Sequence, residues 1–173
     1  MILCVSVAIP LGSCGSISPI PNPDEIQITK PAEIEGGYSN ISPGKELLHY
    51  HQIIKLIDHT GKIKYADSIV SVDVKILDDR RIRFSFIDKK ENRYPYISNY
   101  KLRNGRIRLK NKNFRLTGIP YLFGGYKLNK TELSLSAPKD LLVRSLQKDE
   151  GAILIIFPAS VPPGRFKNVY PKK

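Results

Sequence analysis

Tryptophan is absent from this 173-residue chain, and its two cysteines, Cys4 and Cys14, both lie near the amino terminus. The remainder of the chain can therefore form neither an internal disulfide nor a cysteine-based zinc site. The sequence also has no nucleophile elbow, Walker loop, dinucleotide fingerprint or HExxH motif. These absences predict a protein without enzymatic activity, cofactor or bound metal.

The composition is that of one globular domain with a strong excess of positive charge. Hydrophobic residues make up 41% of the chain and charged residues 25%, which is ordinary for a folded protein. Twenty-eight basic residues against sixteen acidic ones give a net charge of +12. This charge favours solubility and attraction to anions, but it does not identify a partner.

Apolar and polar residues alternate over much of the stretch 66–136. The apolar members of the pattern are Val70, Val72, Val74, Ile76, Ile82, Phe84, Phe86, Ile107, Leu109, Leu133 and Leu135. Since successive side chains of a strand point to opposite faces, this period of two predicts a sheet with one buried face.

The first eleven residues are nearly all apolar and too few to span a bilayer, which is typical of a secretory signal. The next segment, Leu11-Gly12-Ser13-Cys14, resembles the lipobox of bacterial lipoproteins. That resemblance implies cleavage before Cys14 and acylation of its thiol. No Lys or Arg precedes Cys14, which favours a translation start further upstream. The alternative is an apolar first strand with a chance match to the lipobox.

Residues 15–33 carry four prolines among serines and asparagines, which predicts an extended tether. A short helix is expected to start at Ser42-Pro43 and to stop at Thr60-Gly61. Its apolar face would consist of residues at helical spacing, namely Leu47, Tyr50, His51, Ile54 and Ile57. The segment Ile53–Ile57 could equally form a strand.

A series of short strands in hairpin order is predicted for the rest of the chain. They are expected at Ile34–Asn40, Lys62–Tyr65, Ile69–Leu77, Ile82–Asp88, Tyr96–Leu102, Arg106–Lys110, Phe114–Leu116, Tyr121–Phe123, Tyr126–Leu128, Glu132–Ser136, Leu141–Ser145, Ala152–Phe157 and Phe166–Tyr170. Asn104-Gly105 is the strongest turn signal, because both positions of such a turn need positive φ. Turns are also predicted at Asn129-Lys130 and Lys148–Gly151, and a bend or bulge at Gly124-Gly125. The pattern predicts a mainly β fold, an antiparallel meander curled into a barrel or half-barrel with one short amino-terminal helix.

With these elements the chain resembles the small lipocalin-like, half-barrel lipoproteins of Bacteroidota. The resemblance depends on the lipobox, the proline-rich tether, the short helix, Gly37-Tyr38-Ser39-Asn40, the Ile119–Tyr126 segment and the late Gly151–Ile155 strand. It implies a signal peptide over 1–13, a lipidated tether over 14–33 and a single β domain over 34–173. The expected location is the bacterial cell envelope, in the outer membrane or facing the periplasm. The resemblance supplies no catalytic residues.

The segment 101–115 has seven basic residues and no acid: Lys101, Arg103, Arg106, Arg108, Lys110, Lys112 and Arg115. The first five are candidate contacts to an anionic lipid surface or an acidic protein, since their alternation with apolar residues predicts one basic face. The alternative is a solvated outer face that discourages edge aggregation. Nucleic acid is not expected as a partner, because the tyrosines of this region lack the spacing of a stacking platform.

His49 and His51 would share a face on a strand and could hold a metal there, but they diverge on the predicted helix. No third ligand lies at a recognisable spacing, so a metal site is not expected. Two acidic pairs, Asp78-Asp79 and Asp149-Glu150, are interpreted as turn residues rather than catalytic carboxylates.

Tyr121, Phe123 and Tyr126 could line the mouth of a ligand cavity or pack in the core, because a barrel of about eight strands either fills its interior or holds one small ligand. The leading hypothesis is a non-catalytic, membrane-anchored envelope lipoprotein that binds or shields a small apolar ligand or an envelope component. The second hypothesis is an interaction module that docks an acidic protein or anionic lipid surface through the basic hairpin 100–115.

Overall fold

The computed structural model describes residues 24–44, 51–59, 61–63, 66–110, 113–119, 123–153, 157–160 and 164–173. In this part of the chain the secondary structure is almost entirely strand. The elements are β1 (Glu25–Ile26), β2 (Gly36–Ser39), α1 (Ile53–Ile57), β3 (Ile69–Ile76), β4 (Arg81–Asp88), β5 (Arg93–Arg103), β6 (Arg106–Leu109), β7 (Asn113–Ile119), β8 (Phe123–Ser136), β9 (Leu141–Ile153), β10 (Phe157–Ser160) and β11 (Gly164–Tyr170), with 3-10 turns at Pro31–Ile34 and Ala66–Ser68.

These strands form one antiparallel sheet that curls into an open half-barrel. The main path runs β10-β9-β8-β6-β5-β4-β3-β2, while β1 and β7 pair with β8, and β11 pairs with β9. The two sides of the sheet meet where Tyr38 bridges Lys172 and the Ser39 amide donates to the Pro171 carbonyl at 2.9 Å. The predicted β meander with little helix is therefore confirmed.

The hydrophobic core lies on the inner face of the sheet and follows the predicted alternation. Buried positions on the strands include Val72, Val74, Ile82, Phe84, Phe86, Ile107, Leu109, Leu133 and Leu135. The alternation shifts within β3, where Ile69 rather than Val70 is buried, because the register is irregular between Ile69 and Ser71. Helix α1 covers this face with Ile53, Ile54, Leu56 and Ile57.

Helix α1 matches the carboxyl-terminal part of the predicted helix, and the strand alternative for Ile53–Ile57 is wrong. Residues 42–44 are not helical, so the predicted start at Ser42-Pro43 is also wrong. Asn40 fixes the observed start instead. Its backbone carbonyl and its side-chain oxygen accept hydrogen bonds from the amides of Ile53 and Ile54, at 3.0 and 3.2 Å. Its amide group donates to the Ile69 carbonyl at 3.0 Å, which ties the helix to β3.

Two predicted turns are wrong, because β8 and β9 each run without interruption. They pair with each other from Phe123 opposite Ile153 to Leu135 opposite Leu141. Along the edge of β8 that faces away from β9, β7 pairs with one part and β6 with the next. Along the edge of β9 that faces away from β8, β10 and β11 likewise pair with successive parts of the strand. Both long strands are thus held by partners along their length, which overrides the turn preference of Asn129-Lys130 and of Lys148–Gly151.

Three smaller expectations also fail in whole or in part. Gly124 and Gly125 pair in unbroken register with β7 and β9, so the bulge predicted as one alternative does not lie there. Asp149 and Glu150 lie inside β9 rather than in a turn. Residues 62 and 63 of the predicted strand 62–65 are not in a strand, and residues 64 and 65 lie outside the described part.

The predicted turn at Asn104-Gly105 is confirmed, with φ values of 52° and 68°. This turn is also a packing site for the amino-terminal segment. A Cβ added to Gly105 would lie 2.7 Å from the Cβ of Gln27, and the Ile28 amide donates to the Gly105 carbonyl at 2.9 Å. Glycine is therefore required here by both its backbone angle and its lack of a side chain.

The segment predicted as a tether extends into the domain. Strand β1 pairs with β8 through Glu25 and Ile26, and Ile28 is 2% exposed in the core. Glu33 accepts hydrogen bonds from the Lys30 amide and the Thr29 hydroxyl, at 2.7 and 2.6 Å, which holds the turn that Pro31 begins. The folded domain therefore includes Glu25, and the predicted boundary at Ile34 is too late. Cys14 and the predicted signal peptide lie outside the described residues.

Candidate functional site

A row of charged side chains crosses the outer face of the sheet, the face turned away from the core. The row takes one residue from each of five neighbouring strands: Lys101, Arg108, Glu132, Arg144 and Lys167. Each residue is the direct cross-strand partner of the next. Their sequence neighbours Ile107, Leu133 and Val143 are buried in the core, so the alternation of the strand directs the charges outward.

Glu132 is the acid in the middle of this row. Its side chain is 3% exposed, and its Oε1 accepts hydrogen bonds from Arg108 Nε at 2.9 Å and Arg108 Nη2 at 2.6 Å. Arg106 Nη1 lies 4.0 Å from Oε2 of the same carboxylate. Glu132 therefore neutralises arginines of the β5–β6 hairpin from a strand outside it.

Glu25 of β1 supplies a second acid and is held between two arginines. Arg106 donates from Nε and Nη2 to the two carboxylate oxygens, at 2.8 and 3.1 Å. Arg144 donates to the same two oxygens through both terminal nitrogens. The Arg144 side chain is 2% exposed and that of Glu25 is 10% exposed. We call Glu25, Arg106 and Arg144 the Glu25 clamp.

The electrostatics of the Glu25 clamp favour the ionised carboxylate. Burial acts to raise the pKa of Glu25, but hydrogen bonds from Arg144, Arg106 and Ser134 outweigh it and lower the pKa to about 2. Bidentate arginine–carboxylate pairs are among the stronger hydrogen-bonded contacts in proteins. The clamp therefore holds β1 on the sheet as a charged unit at neutral pH.

This arrangement changes the predicted basic patch. Arg106 and Arg108 face outward as expected, but Glu25 and Glu132 engage them, so these two candidate contacts already have acidic partners within the chain. Lys101, Arg103 and Lys110 are exposed and form no ion pair with the acids of the described chain. Lys112 lies outside the described residues, and Arg115 is a residue of β7.

Four cations of the outer face, which include Lys101 of the row above, form a set that we call the outer cations: Lys75, Arg83, Lys101 and Arg103. Lys75 is directly opposite Arg83, and Lys101 and Arg103 are opposite Arg108 and Arg106. Like charges in directly opposite positions destabilise a sheet. Glu132 and Glu25 relieve this for the two arginines of β6, whereas the outer cations have no ion pair with a described acid.

An open groove of about 510 Å³ lies at the β3–β4 turn, lined by Asp78, Asp79, Arg80, Arg81, Asn99 and Lys110. Asp78 is committed to the β3–β4 turn. Its carboxylate accepts hydrogen bonds from the Arg80 and Arg81 amides at 2.9 and 2.8 Å and from Arg81 Nε at 2.6 Å. These bonds lower the pKa of Asp78. The geometry agrees with a turn role for this acid.

The described histidines have structural contacts. His51 Nδ1 lies 3.0 Å from Asn168 Oδ1. The Thr131 hydroxyl donates to the Leu56 carbonyl at 2.7 Å, so the His59 Nε2 at 3.1 Å donates to that hydroxyl. Burial lowers the pKa of His59, which fits a neutral donor. His49 lies outside the described part, within which no group of three or more His, Cys, Asp or Glu residues could hold a metal.

The predicted cavity mouth is only partly described. Phe123 and Tyr126 lie on β8, opposite Ile119 and Leu116 of β7, and Tyr121 lies outside the described residues. On the inner face the large side chains of Tyr38, Phe84, Phe86, Tyr100 and Tyr170 are at most 2% exposed and fill the core.

The sequence reasoning missed four members of the charge network, namely Glu25, Glu132, Arg144 and Lys167. Glu132 and Arg144 had a usable signal, since each is a charged residue that alternates with core residues of a predicted strand. Glu25 had none, because it lies in a proline-rich stretch without periodicity.

Fold and site together define an antiparallel β half-barrel with a cation-rich outer face. Comparison of the chain with protein-family models, with curated proteins and with solved structures finds no match. The resemblance to Bacteroidota lipoproteins therefore stays a prediction. Over the residues that the structure describes, no helix has the length and apolar character needed to cross a membrane.

Proposed function

We propose that this protein is a non-catalytic envelope lipoprotein, anchored through an acylated Cys14, whose β domain docks an anionic partner through its outer face. The observation that carries the docking role is the set of outer cations. The same face provides two glutamates for its other arginines, yet Lys75, Arg83, Lys101 and Arg103 have no ion pair with a described acid. Repulsion between directly opposite cations lowers the stability of the sheet, and a protein that retains such cations is expected to use them to bind anions.

The lipid anchor is supported by the apolar leader and by the four residues that end at Cys14. Each methylene buried in a bilayer contributes about 0.8 kcal/mol, so two or more acyl chains hold a protein stably on a membrane. The proposal places the folded domain outside the bilayer, linked to it by the residues between Cys14 and Glu25.

The anchor is tested by replacing Cys14 with alanine. We expect the unmodified protein to sediment with membranes and to carry a diacylglyceryl mass on a peptide that begins at Cys14. Cys14→Ala should lose that mass and move to the soluble fraction. Cys4→Ala is the matched control and should behave like the unmodified protein. Equal partitioning of Cys14→Ala and the unmodified protein, with no lipid mass on either, would overturn lipidation at this position.

Binding of a small apolar ligand is the second candidate function. Its support is local: Gly125 lies opposite Gly151 on the neighbouring strands β8 and β9, two residues from Phe123. Because glycine has no side chain, a glycine pair leaves space on one face of the sheet that a ligand could occupy. The core around Phe84 and Tyr100 has no such space, since large side chains fill it.

Native mass spectrometry of the gently extracted protein tests this candidate. A retained ligand should appear as an additional non-covalent mass that disappears when the protein is denatured in organic solvent. If the native mass equals that of the acylated chain alone, the ligand-binding role is wrong and the docking role is unaffected.

A further inference from the structure

We infer that the anionic partner of the outer face is a bilayer surface rich in anionic phospholipid, with Ile97 as an apolar contact at its centre. The inference deepens the proposed function by naming the partner, and one step of it rests on the proposed anchor at Cys14. The contact surface consists of the outer cations together with Ile97.

The placement of the cations fits a surface of mobile anions. Lys75 and Arg83 are directly opposite each other on neighbouring strands, about 4.8 Å apart. Lys101 lies on the next strand, four residues or about 13 Å along β5 from Ile97, the cross-strand partner of Arg83. Lys101 and Arg103 are two residues apart on β5, which is about 7 Å along a strand. The surface is the outside of a curled sheet and therefore convex, so it encloses no peptide or nucleotide. Headgroup phosphates, which move within the plane of a bilayer, can pair with each cation.

Ile97 supports a lipid rather than a protein anion as the partner. Its side chain is 56% exposed and is the cross-strand partner of Arg83. The exposed Pro95 precedes it on the same face of β5. A large exposed apolar residue beside Arg83 becomes buried when the basic residues rest on headgroups and it reaches the acyl boundary.

The Glu25 clamp sets the position of this surface relative to the anchor. Through Arg106 and Arg144 it fastens the start of the domain to the outer face, and Arg106 lies directly opposite Arg103. Cys14 precedes Glu25 by eleven residues (25 − 14), which can span at most about 40 Å. A tether of that reach keeps the outer cations at high local concentration next to the bilayer that holds the acyl chains.

The experiment uses the absence of tryptophan from the chain. Ile97→Trp is introduced into the full chain carrying Cys14→Ala, so that no acyl chain contributes to binding. A second full chain with Cys14→Ala carries Ala137→Trp in the exposed β8–β9 turn as the matched reporter. Each protein is mixed with vesicles of phosphatidylglycerol and phosphatidylethanolamine, or of phosphatidylcholine alone, and tryptophan emission and sedimentation are measured.

We expect the emission of Ile97→Trp to shift to the blue with the anionic vesicles and not with phosphatidylcholine, while Ala137→Trp stays unchanged. The double variant Lys101→Gln/Arg103→Gln should bind anionic vesicles about thirtyfold more weakly. The control Lys89→Gln/Lys90→Gln removes the same charge from the exposed β4–β5 turn and should change binding little. Raising the salt from about 0.1 to 1 M should abolish the shift, since the Debye length falls to about 3 Å.

Equal shifts with both vesicle types, or equal shifts of both tryptophans, would overturn the inference. A lack of any shift, together with salt-sensitive capture of an acidic protein that the Lys101→Gln/Arg103→Gln variant loses, would also overturn it in favour of a protein partner. Because these measurements use Cys14→Ala, they do not depend on lipidation. Failure of the anchor appears only in the membrane partitioning and peptide mass of the unmodified protein.

Discussion

Glu25→Gln is expected to lower the free energy of unfolding by about 3 kcal/mol at pH 7, because it removes the carboxylate that accepts from both terminal nitrogens of the buried Arg144. The Arg144 side chain is 2% exposed, so water cannot solvate its guanidinium in place of the Glu25 carboxylate. Urea unfolding monitored by far-ultraviolet circular dichroism measures the change. The matched control is Arg81→Gln, which breaks the exposed pair between Arg81 and Asp78 and should cost less than about 1 kcal/mol.

The same variant should change how stability depends on pH. Glu25 has a pKa of about 2 in the folded protein against 4.5 for the free group, so the unfolded chain binds more protons between these values. Its contribution is fully present above pH 4.5 and is lost as the pH falls towards 2. Glu25→Gln should therefore lose less stability than the unmodified protein across that window. Parallel pH profiles of the two proteins would show that the clamp does not form.

Phe84→Ala is expected to lower the free energy of unfolding by about 3–5 kcal/mol, since it opens a cavity in the core. Phe84 is 0% exposed, and its ring centroid lies 6.3 Å from that of Phe86 and 6.5 Å from that of Tyr96. Thermal and urea unfolding measure the loss.

Ile97→Ala on the neighbouring strand is the control for Phe84→Ala. Ile97 points to the other side of the same sheet and is 56% exposed, so its truncation should change stability by less than about 0.5 kcal/mol. Comparable losses from the two variants would mean that the inner and outer faces of β4 and β5 are assigned incorrectly. The pair therefore tests the orientation on which the proposed docking surface depends.

Local patterns were sufficient to predict the parts of this fold that local physics controls. The alternation at Ile82, Phe84 and Phe86 identified the buried face of β4, and Asn104-Gly105 identified the turn between β5 and β6, because the pleat and the positive φ depend on nearby residues alone. The long strands β8 and β9 were divided incorrectly. Their continuity depends on β6 and β7 sharing one edge of β8, which is a contact between distant segments.

The charge network was harder to predict for the same reason. The excess of basic residues in 101–115 was visible, but the two acids that engage Arg106 and Arg108 come from β1 and β8. Strand β6 pairs with β8 and not with β7, the next strand in the chain, so the register that brings Glu132 to Arg108 is not encoded in hairpin order. Glu25 reaches the network from a segment whose prolines indicated an extended linker.

The Glu25 clamp also determines how the domain bears a mechanical load. A pull on the chain before Glu25 reaches the sheet at β1 and is divided between Arg106 on β6 and Arg144 on β9, the two strands that flank β8. Force is therefore carried by two strands that each have neighbours on both sides, instead of peeling an outer strand away. A load applied to the amino terminus is therefore expected to break this junction before the sheet unfolds.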